Sequence, residues 1–216
     1  MAANPAQHRF SSEEELREFI GKPMDLAVAK AIDHLDKHCK AYIERSPFIC
    51  IGTASADGRA DVSPRGDSPG FVQVLDEHTL FIPDRPGNNR LDTMTNIIEN
   101  PNVGIFFLVP GFEVTLRVNG QATIIRDEAL LDQARVKGKT PKIGIRVAVD
   151  EAYLHCAKAI KRSKLWDEAS KRDRKEMPSL ARMVLEQIAP PDDPPAEEAI
   201  KAADEFVEDN YKNELY

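Results

Sequence analysis

The sequence predicts a mainly β protein whose antiparallel sheet closes on itself as a barrel, with helices at its corners and ends. From Pro47 onwards the chain contains six or seven short runs with the apolar pattern of strands. Most of these runs are separated by short turns, which favours antiparallel neighbours over parallel strands joined by crossover helices. The clearest helical patterns lie before and after this region.

Two helices are predicted ahead of the β-rich region. In SSEEELREFI the serines are followed three residues later by glutamates, a capping-box pattern for a short helix from about Ser12. After Gly21 and Pro23, the run from Met24 to Arg45 has apolar side chains at helical spacing and predicts one long amphipathic helix. Its apolar positions are Val28, Ile32, Leu35, Cys39 and Tyr42.

Two histidines in that predicted helix raise the question of a metal site. His34 and His38 are four residues apart, a spacing that places two imidazoles on one helix face. No glutamate lies between them in the HExxH order, and no third ligand can be identified. We therefore expect a solvated helix face and no metal site.

The β-rich region reads as two hairpins followed by three longer strands. FICIGTAS and RADVSPRGD flank a turn at Ala56-Asp57-Gly58, and FVQVL and HTLFI form the second hairpin. A helix from Asn89 to Glu99 stops at Asn100-Pro101. The last strands are VGIFFLV, FEVTLRVNGQATIIR and KIGIRVAV, with a helix capped by Asp127, DEALLDQAR, between the last two.

The composition divides the chain into three predicted parts. These are N-terminal helices over residues 1–46, the barrel over residues 47–169 and a helical acidic extension over residues 170–216. In the extension SLARMVLEQIA predicts a helix, PPDDPP ends it, and the remainder is a charged helix or a frayed tail. The first of these helices has an apolar stripe that could pack on a partner subunit or on its own core. The stripe consists of Leu180, Met183, Val184 and Ile188.

Charge and cysteine content exclude several classes of partner. Residues 190–216 carry nine acidic and two basic side chains, which account for the whole formal charge of −7. A neutral body with an acidic tail argues against nucleic-acid binding. No apolar run approaches the roughly 20 residues that cross a bilayer, and MAANPAQHRFSSEEELREFI is not a secretory signal. Three distant cysteines, which we expect to be buried thiols, suit a reducing compartment, so a cytoplasmic location with no membrane partner is expected.

Motifs for several common chemistries are missing from the sequence. KGKT, at residues 137–140, lacks the earlier glycine of a phosphate-binding P-loop. No GxGxxG follows a predicted strand, no serine lies in a GxSxG motif, and no cysteine has an evident histidine partner. Neither a dinucleotide fold nor a protein nucleophile is therefore indicated.

The stretch DRPGNNR, residues 84–90, joins a predicted strand to a predicted helix and has two interpretations. It could be a plain turn, because glycine and asparagine tolerate positive φ. It could also hold an anion, because a helix N-terminus presents free N–H groups that Arg90 would reinforce. Arg65, Arg117 and the basic run from Lys158 to Lys164 could converge on the same anion, or each could be a solvated surface charge.

Taken in order, these segments resemble the pyridoxamine 5'-phosphate oxidase-like, FMN-binding split-barrel family. The matching stretches are FICIGTASADGRADVSPRGD, LFIPDRPGNNRLDTMTNIIENPNVGIFFLV, LRVNGQATIIRDEALL and a basic segment that ends in KLW. They extend from about Pro47 to Trp166. The resemblance implies a homodimer of six-stranded antiparallel split barrels, with one FMN in each of two clefts at the subunit interface.

The resemblance also implies which residues hold the cofactor. Arg65 matches a basic position that binds the FMN phosphate, and Asn88, Asn89 and Arg90 match the loop and helix start around it. This favours the anion-binding interpretation of DRPGNNR. The other matches are Ile82 and Pro83 at the isoalloxazine ring, Thr115 and Arg117 on a strand from the partner subunit, and Lys164 and Trp166 in a segment that closes the cleft.

The implied activity is an FMN-dependent oxidoreductase that transfers hydride to or from a small organic substrate through flavin N5. Family members that oxidise pyridoxamine phosphate carry an arginine and a histidine after the closing tryptophan, whereas WDEASKRDRKEMP has no histidine. The vitamin-forming reaction itself is therefore not expected. Arg85-Pro86, an insertion, and the acidic extension also set the chain apart from that subgroup. A non-catalytic flavin-binding, haem-binding or sensor protein, and an F420-dependent reductase, remain alternatives.

Overall fold

A computed structural model describes residues 9–216, which form one seven-stranded sheet surrounded by helices. The strands are β1 (Phe48–Ala54), β2 (Ala60–Gly66), β3 (Gln73–Asp76), β4 (Thr79–Pro83), β5 (Asn102–Leu108), β6 (Thr115–Ile125) and β7 (Gly144–His155). The first eight residues of the predicted N-terminal segment, which also begin the stretch judged not to be a signal, lie outside the described residues.

The helices occupy the ends and corners of the sheet, as predicted. They are α1 (Glu13–Ile20), α2 (Asp25–Ala29), α3 (Lys37–Ile43), α4 (Asp92–Glu99), α5 (Glu128–Gln133), α6 (Lys158–Ser163), α7 (Leu180–Ile188) and α8 (Glu197–Asn213). None of the helices in residues 9–216 combines the length and the apolar character needed to cross a membrane.

The sheet confirms the predicted antiparallel architecture and corrects the strand count. Its order is β2-β1-β5-β6-β7-β4-β3, and every neighbouring pair is antiparallel. Both predicted hairpins, β1-β2 and β3-β4, form. The sheet has seven strands where the resemblance implies six, and within the described residues β2 and β3 are its two edges, so strand pairing does not close it into a barrel.

The main core lies on one face of this sheet, where alternate side chains of β1, β5 and β7 point inward. Strand β4 is buried along its whole length, and its Phe81 packs in a second cluster with Leu131 and Ala134 of the α5 region. Ile51 of β1, Ile105 of β5, and Val118 of β6 pair in register across three strands, and each is at most 2% exposed. The prediction that all three cysteines are buried is wrong for two of them. Cys39 is buried, but Cys50 is half-buried on the outer face of β1, and Cys156 is exposed just beyond β7.

The long helix predicted from Met24 to Arg45 is wrong. The chain leaves α2 after Ala29, and Ile32 exchanges two main-chain hydrogen bonds with Ala152 of β7, at 3.0 and 2.7 Å. Asp36 then starts α3 by accepting hydrogen bonds from the first-turn amides of His38 and Cys39. Strand β4 pairs only with residues 144–148 of β7, so the main-chain N–H and C=O of Ala152 need other hydrogen-bond partners. Ile32 provides them, and this pairing outweighs the helical pattern of the sequence.

This break also separates the two histidines. His34 lies between the helices, where its ring contacts that of His78 at a centroid distance of 6.2 Å, and His38 is in α3. They therefore do not share one helix face. No group of three or more His, Cys, Asp or Glu side chains within residues 9–216 is arranged to hold a metal ion.

Helix α4 is fixed against the first hairpin and begins later than predicted. Met94 and Ile97 are buried, and Asn96 Nδ2 donates to the Thr53 hydroxyl at 3.0 Å. The predicted start at Asn89 moves to Asp92, because Asn89 and Leu91 have positive φ and cannot continue an α-helix.

The acidic extension forms two packed helices that return the chain to the sheet. Ser179 caps α7, and Arg182 of α7 donates to Glu197 of α8 at 2.9 Å. The apolar stripe of α7 stays largely exposed within one chain, since Leu180, Val184 and Ile188 are 48%, 44% and 73% exposed. Met183 is partly buried, so packing within one chain covers only part of the stripe. Beyond α8, the chain brings Glu214 and Tyr216 to the cleft described below.

Candidate functional site

A cleft of about 800 Å³ lies beside the edge strand β2. Its walls are β2, the segment 84–91 that leads from β4 into α4, the start of α4, the segment 139–142 ahead of β7, and residues 214 and 216. This volume is within the usual range for small-molecule sites. Its charged lining residues are Asp61, Arg65, Asp84, Arg85, Arg90, Asp92, Lys139, Lys142 and Glu214.

Strand β2 brings a polar face to this cleft. Asp61, Ser63 and Arg65 alternate with more exposed neighbours, so the three side chains share one face of the strand. The rise per residue of a strand places Asp61 about 13 Å from Arg65 along the cleft. Because β2 is a sheet edge, this face extends beyond the apolar core and can be polar without burying charge in the centre of the protein.

Arg65 is fixed by an ion pair, but one N–H group of its guanidinium makes no hydrogen bond. Its Nη1 donates to Oδ1 of Asp84 at 2.6 Å, and the two side chains are only 23% and 21% exposed. The Nε of Arg65 is buried and has no hydrogen-bond partner among the described residues. An unpartnered buried guanidinium N–H is costly, and it indicates a group that a bound acceptor could satisfy.

The strand-to-helix corner, residues 84–91, has an unusual main-chain conformation. Asn89 and Leu91 have φ of 58° and 61°, which is uncommon for residues with a Cβ and is found preferentially at functional sites. Gly87 does not have positive φ, and a Cβ there would meet open space. The positive φ expected at Gly87 therefore occurs at Asn89 and Leu91 instead.

Arg90 is the more available of the two predicted phosphate-binding arginines. Its amide donates to Oδ1 of Asn88 at 3.1 Å, which orders the loop. Its side chain pairs with Asp92 at 2.7 Å, yet that side chain is 73% exposed. A surface ion pair of this kind contributes little stability, so Arg90 can exchange Asp92 for a bound anion at small cost.

Asp84 is an unusual carboxylate in this cleft. Burial raises the pKa of its carboxyl, and the attraction of Arg65 and Arg85 offsets only part of that rise. The amide of Asp84 also donates to Ile143 O at 3.1 Å, which ties the corner to the segment ahead of β7. Asp84 therefore orients Arg65 and links it to the corner and to the segment ahead of β7.

A second carboxylate, Asp67, contacts two residues of the cleft wall, Arg85 and Tyr216. Burial alone would raise its pKa, but hydrogen bonds from the Ser68 amide, the Tyr216 hydroxyl and Arg85 bring the pKa below its ordinary value. Its side chain is 1% exposed and accepts from Arg85 Nε at 2.6 Å. Arg85 Nη1 donates further to Ala134 O at 2.8 Å, so Arg85 is committed to the protein.

The ten residues predicted to bind the cofactor fall into three places. Arg65, Asn88, Asn89 and Arg90 line the cleft together. Ile82 and Pro83 are buried at the end of β4, immediately before the corner. The remaining four, Thr115, Arg117, Lys164 and Trp166, are not in the wall of this cleft.

Those four residues lie around β6 and α6. The guanidinium of Arg117 lies over the ring of Tyr153 at 5.2 Å, and Trp166 Nε1 donates to Phe112 O at 2.8 Å. Lys164 ends α6 with a positive φ of 53°. The hydroxyl of Thr115 is buried and has no hydrogen-bond partner among the described residues.

One residue of this second group was missed by the sequence analysis. His155 lies opposite Thr115 in the β6-β7 register, and its Nδ1 is also buried without a partner among residues 9–216. Burial and the nearby charges of Lys30 and Arg117 lower the pKa of His155, which favours its neutral imidazole. Two adjacent polar atoms without partners indicate a place where another molecule or chain can supply hydrogen bonds.

The cleft also has residues that the sequence analysis did not select. Asp84 and Arg85 belong to the quoted corner but were not assigned contacts, and Lys139 belongs to KGKT, which is not a P-loop. Tyr216 reaches Asp67 from 149 residues away in sequence, at 2.8 Å. No local pattern indicates a contact of that separation.

The fold and this cleft define a mainly β protein with a polar, arginine-containing site at a strand-to-helix corner. The sequence model of the pyridoxamine 5'-phosphate oxidase family matches residues 35–156, over half of the chain, and the chain belongs to that family. The match includes β1 to β7 and all of the corner. No curated protein matches the sequence.

Several solved structures are similar in fold. HupZ of Group A Streptococcus is 20% identical over 55% of this chain and 92% of that chain, with a TM-score of 0.47. General Stress Protein 26 of Bacillus anthracis is 16% identical over 53% and 88%, with a TM-score of 0.42. A structure described as an F420 reductase is 19% identical over 52% and 94%, with a TM-score of 0.40. Similarities of this size carry no information about activity or ligand.

Proposed function

We propose that the protein binds FMN with its phosphate in the cleft beside β2 and uses it as an oxidoreductase acting on a small organic substrate. The observation that carries this proposal is the arrangement of Arg65, whose buried Nε has no partner, in the same cleft as Asn88, Asn89 and Arg90. These residues come from two separate segments of the chain. Their combination fits a phosphate, which accepts several hydrogen bonds at once.

In this proposal the two arginines have different tasks. Arg65, fixed by Asp84, provides a preorganised charge at the inner wall of the cleft. Arg90, which is exposed, turns from Asp92 to the phosphate when the ligand binds. Asn88 and Asn89 shape the loop whose amides face the anion, and the N-terminus of α4 adds a favourable dipole.

The second group of residues completes the site if two chains associate through the outer face of the sheet. That face is half-buried within one chain and has a row of side chains in register across four strands: Cys50, Phe106, Arg117 and Tyr153. The next row contains two facing glycines, Gly52 and Gly104, so the surface there is shallow and another chain can approach closely. These features support a homodimer.

In such a dimer we assign the second group to the cofactor site of the partner. Thr115 and Arg117 would contact the flavin from the partner's β6, and Lys164 and Trp166 would close the cleft. The split-barrel arrangement of the sheet, with Ile82 and Pro83 at the isoalloxazine ring, is part of the same proposal. The unpartnered hydroxyl of Thr115 supports it, because a ligand or a second chain would supply the missing hydrogen bond.

Bound FMN would supply hydride transfer, so the protein needs no nucleophile of its own. In this proposal the residues named above bind and orient the cofactor. The segment after Trp166 has no histidine, so it lacks one of the pyridoxamine phosphate contacts of the subgroup named above. We therefore propose a small substrate other than pyridoxamine phosphate.

Fluorescence titration of FMN tests the proposal. The wild-type protein should quench FMN fluorescence saturably, and Arg90→Ala should weaken binding about tenfold, the loss expected for one charge-assisted hydrogen bond of about 1.4 kcal/mol. Arg59→Ala is the matched control, since Arg59 is an exposed, Asp57-paired arginine outside the cleft. If Arg90→Ala binds FMN within a factor of two of wild type, the phosphate site is wrongly assigned.

A further inference from the structure

The Arg85-Pro86 insertion and the C-terminal extension contact each other beside the cleft. Arg85, from the insertion in the corner, donates to Asp67, and the hydroxyl of Tyr216, from beyond α8, donates to the other oxygen of the same carboxylate at 2.8 Å. The guanidinium of Arg85 also lies 5.8 Å from the centre of the Tyr216 ring. The insertion and the extension are therefore parts of one contact network.

Tyr216 also occupies two lysines of the segment ahead of β7. The ammonium of Lys137 lies 4.9 Å from the centre of the tyrosine ring, within the range of a cation–π contact. The ammonium of Lys139, a cleft residue, donates to the main-chain oxygen of Tyr216. With Tyr216 in place, neither lysine is free for a ligand, and Glu214 adds a negative charge to the same wall.

We infer that Tyr216 determines which phosphorylated ligands the cleft accepts. By occupying Lys137 and Lys139, it leaves Arg65, Arg90 and Lys142 as the basic side chains of the cleft that can bind a ligand, because Arg85 is committed to Asp67 and Ala134. A ligand with a second phosphate directed towards Asp67 meets the tyrosine ring and the Glu214 carboxylate. This is selection by exclusion, in which a blocking group disfavours the wrong ligand.

The inference rests on the proposed function, and it gives Tyr216 a role in specificity for a mononucleotide over a dinucleotide. Arg85 stays bound to Asp67 and Ala134 when Tyr216 is removed, so that end of the cleft keeps its shape. The two lysines are then released. Each can make a charge-assisted hydrogen bond to a second phosphate.

The test compares FMN with FAD by fluorescence titration of the full chain and its variants. Tyr216→Ala, and separately deletion of residues 214–216, should raise the affinity for FAD relative to FMN about tenfold, as expected for one released charge-assisted contact. Adding Lys137→Gln and Lys139→Gln to the deletion should abolish the gain, because the deletion removes both the ring over Lys137 and the main-chain oxygen that holds Lys139. Tyr211→Ala is the control, because Tyr211 is an exposed tyrosine on α8 that does not line the cleft. A ratio within twofold of wild type in both Tyr216 variants would overturn the inference while leaving FMN binding intact.

A second measurement separates this inference from the proposed function. If the wild-type protein binds no flavin, the proposed function fails, and isothermal titration with inorganic pyrophosphate and inorganic phosphate decides the role of Tyr216. Tyr216→Ala should then bind pyrophosphate more tightly than wild type, with little change for phosphate. Equal pyrophosphate affinities of the two proteins would refute the role.

Discussion

Replacing Arg65 with methionine is a demanding test of how the cleft is built. The substitution keeps the length and apolar stem of the side chain but leaves the Asp84 carboxylate without its 2.6 Å partner. Asp84 is 21% exposed, so the unpaired charge stays largely shielded from water. Removing one partner of a buried ion pair costs about 3 to 5 kcal/mol. For a chain of this size, we expect the melting temperature to fall by about 6 to 20 °C.

The loss of stability caused by Arg65→Met should increase with pH. Burial already raises the pKa of Asp84 with Arg65 present, and the loss of Arg65 raises it further. A group whose pKa is raised by folding stabilises the protein below its unfolded pKa, and that stabilisation is lost as the pH rises through the folded pKa. The penalty of Arg65→Met should therefore be larger at about pH 8 than at about pH 5, where the buried carboxyl is more readily protonated.

Urea unfolding followed by circular dichroism at both pH values measures these differences. The control is the double variant Arg65→Met/Asp84→Asn, in which the uncompensated charge is removed, and we expect it to recover most of the lost stability. A single variant that loses less than about 1 kcal/mol at the higher pH would show that the pair is not buried as described. A double variant no more stable than the single one would contradict the electrostatic explanation.

Two further predictions concern the packing and the thiols. Gly120→Ala should lower the free energy of unfolding by more than about 2 kcal/mol, because its Cβ would collide with the main-chain oxygen of Ala148. Gly87→Ala is the control and should change the free energy of unfolding by less than about 1 kcal/mol, because a Cβ there meets open space. Equal effects of the two substitutions in thermal unfolding would contradict this. In thiol labelling of the native protein, exposed Cys156 should react first and Cys39 last, since burial raises the pKa of Cys39 to about 12. Fast labelling of Cys39 would indicate that α3 does not pack as described.

Local signals in the sequence predicted much of the fold correctly. The two hairpins, the Asp127 cap of α5 and the stop of α4 at Asn100 depend on residues next to one another, and the structure has all three. The helix expected from Met24 to Arg45 failed because its middle is recruited by the free edge of β7, more than 100 residues away. The spacing of apolar residues does not predict main-chain hydrogen bonds to a distant strand.

The site was only partly predictable for a similar reason. The family resemblance selected Arg65 and Arg90, and the structure brings both to one cleft. It did not select Asp84, which sets the electrostatics of Arg65, because a carboxylate in a turn looks like an ordinary solvated residue. Tyr216 could not be selected at all, since its contacts with Asp67 exist only through the packing of α7 and α8.

The proposed function requires each FMN site to combine Arg65 of one chain with Arg117 of another. Co-expression of Arg65→Met/Asp84→Asn with Arg117→Met, under two different affinity tags, yields heterodimers that can be isolated by tandem purification. Each variant alone should bind FMN at least about tenfold more weakly than wild type, because each loses a charge-assisted contact at every site. The heterodimer should recover one site of wild-type affinity per dimer, since one of its two sites then has both arginines. A heterodimer that recovers no tight site, or an Arg117→Met protein that binds FMN like wild type, would contradict the account.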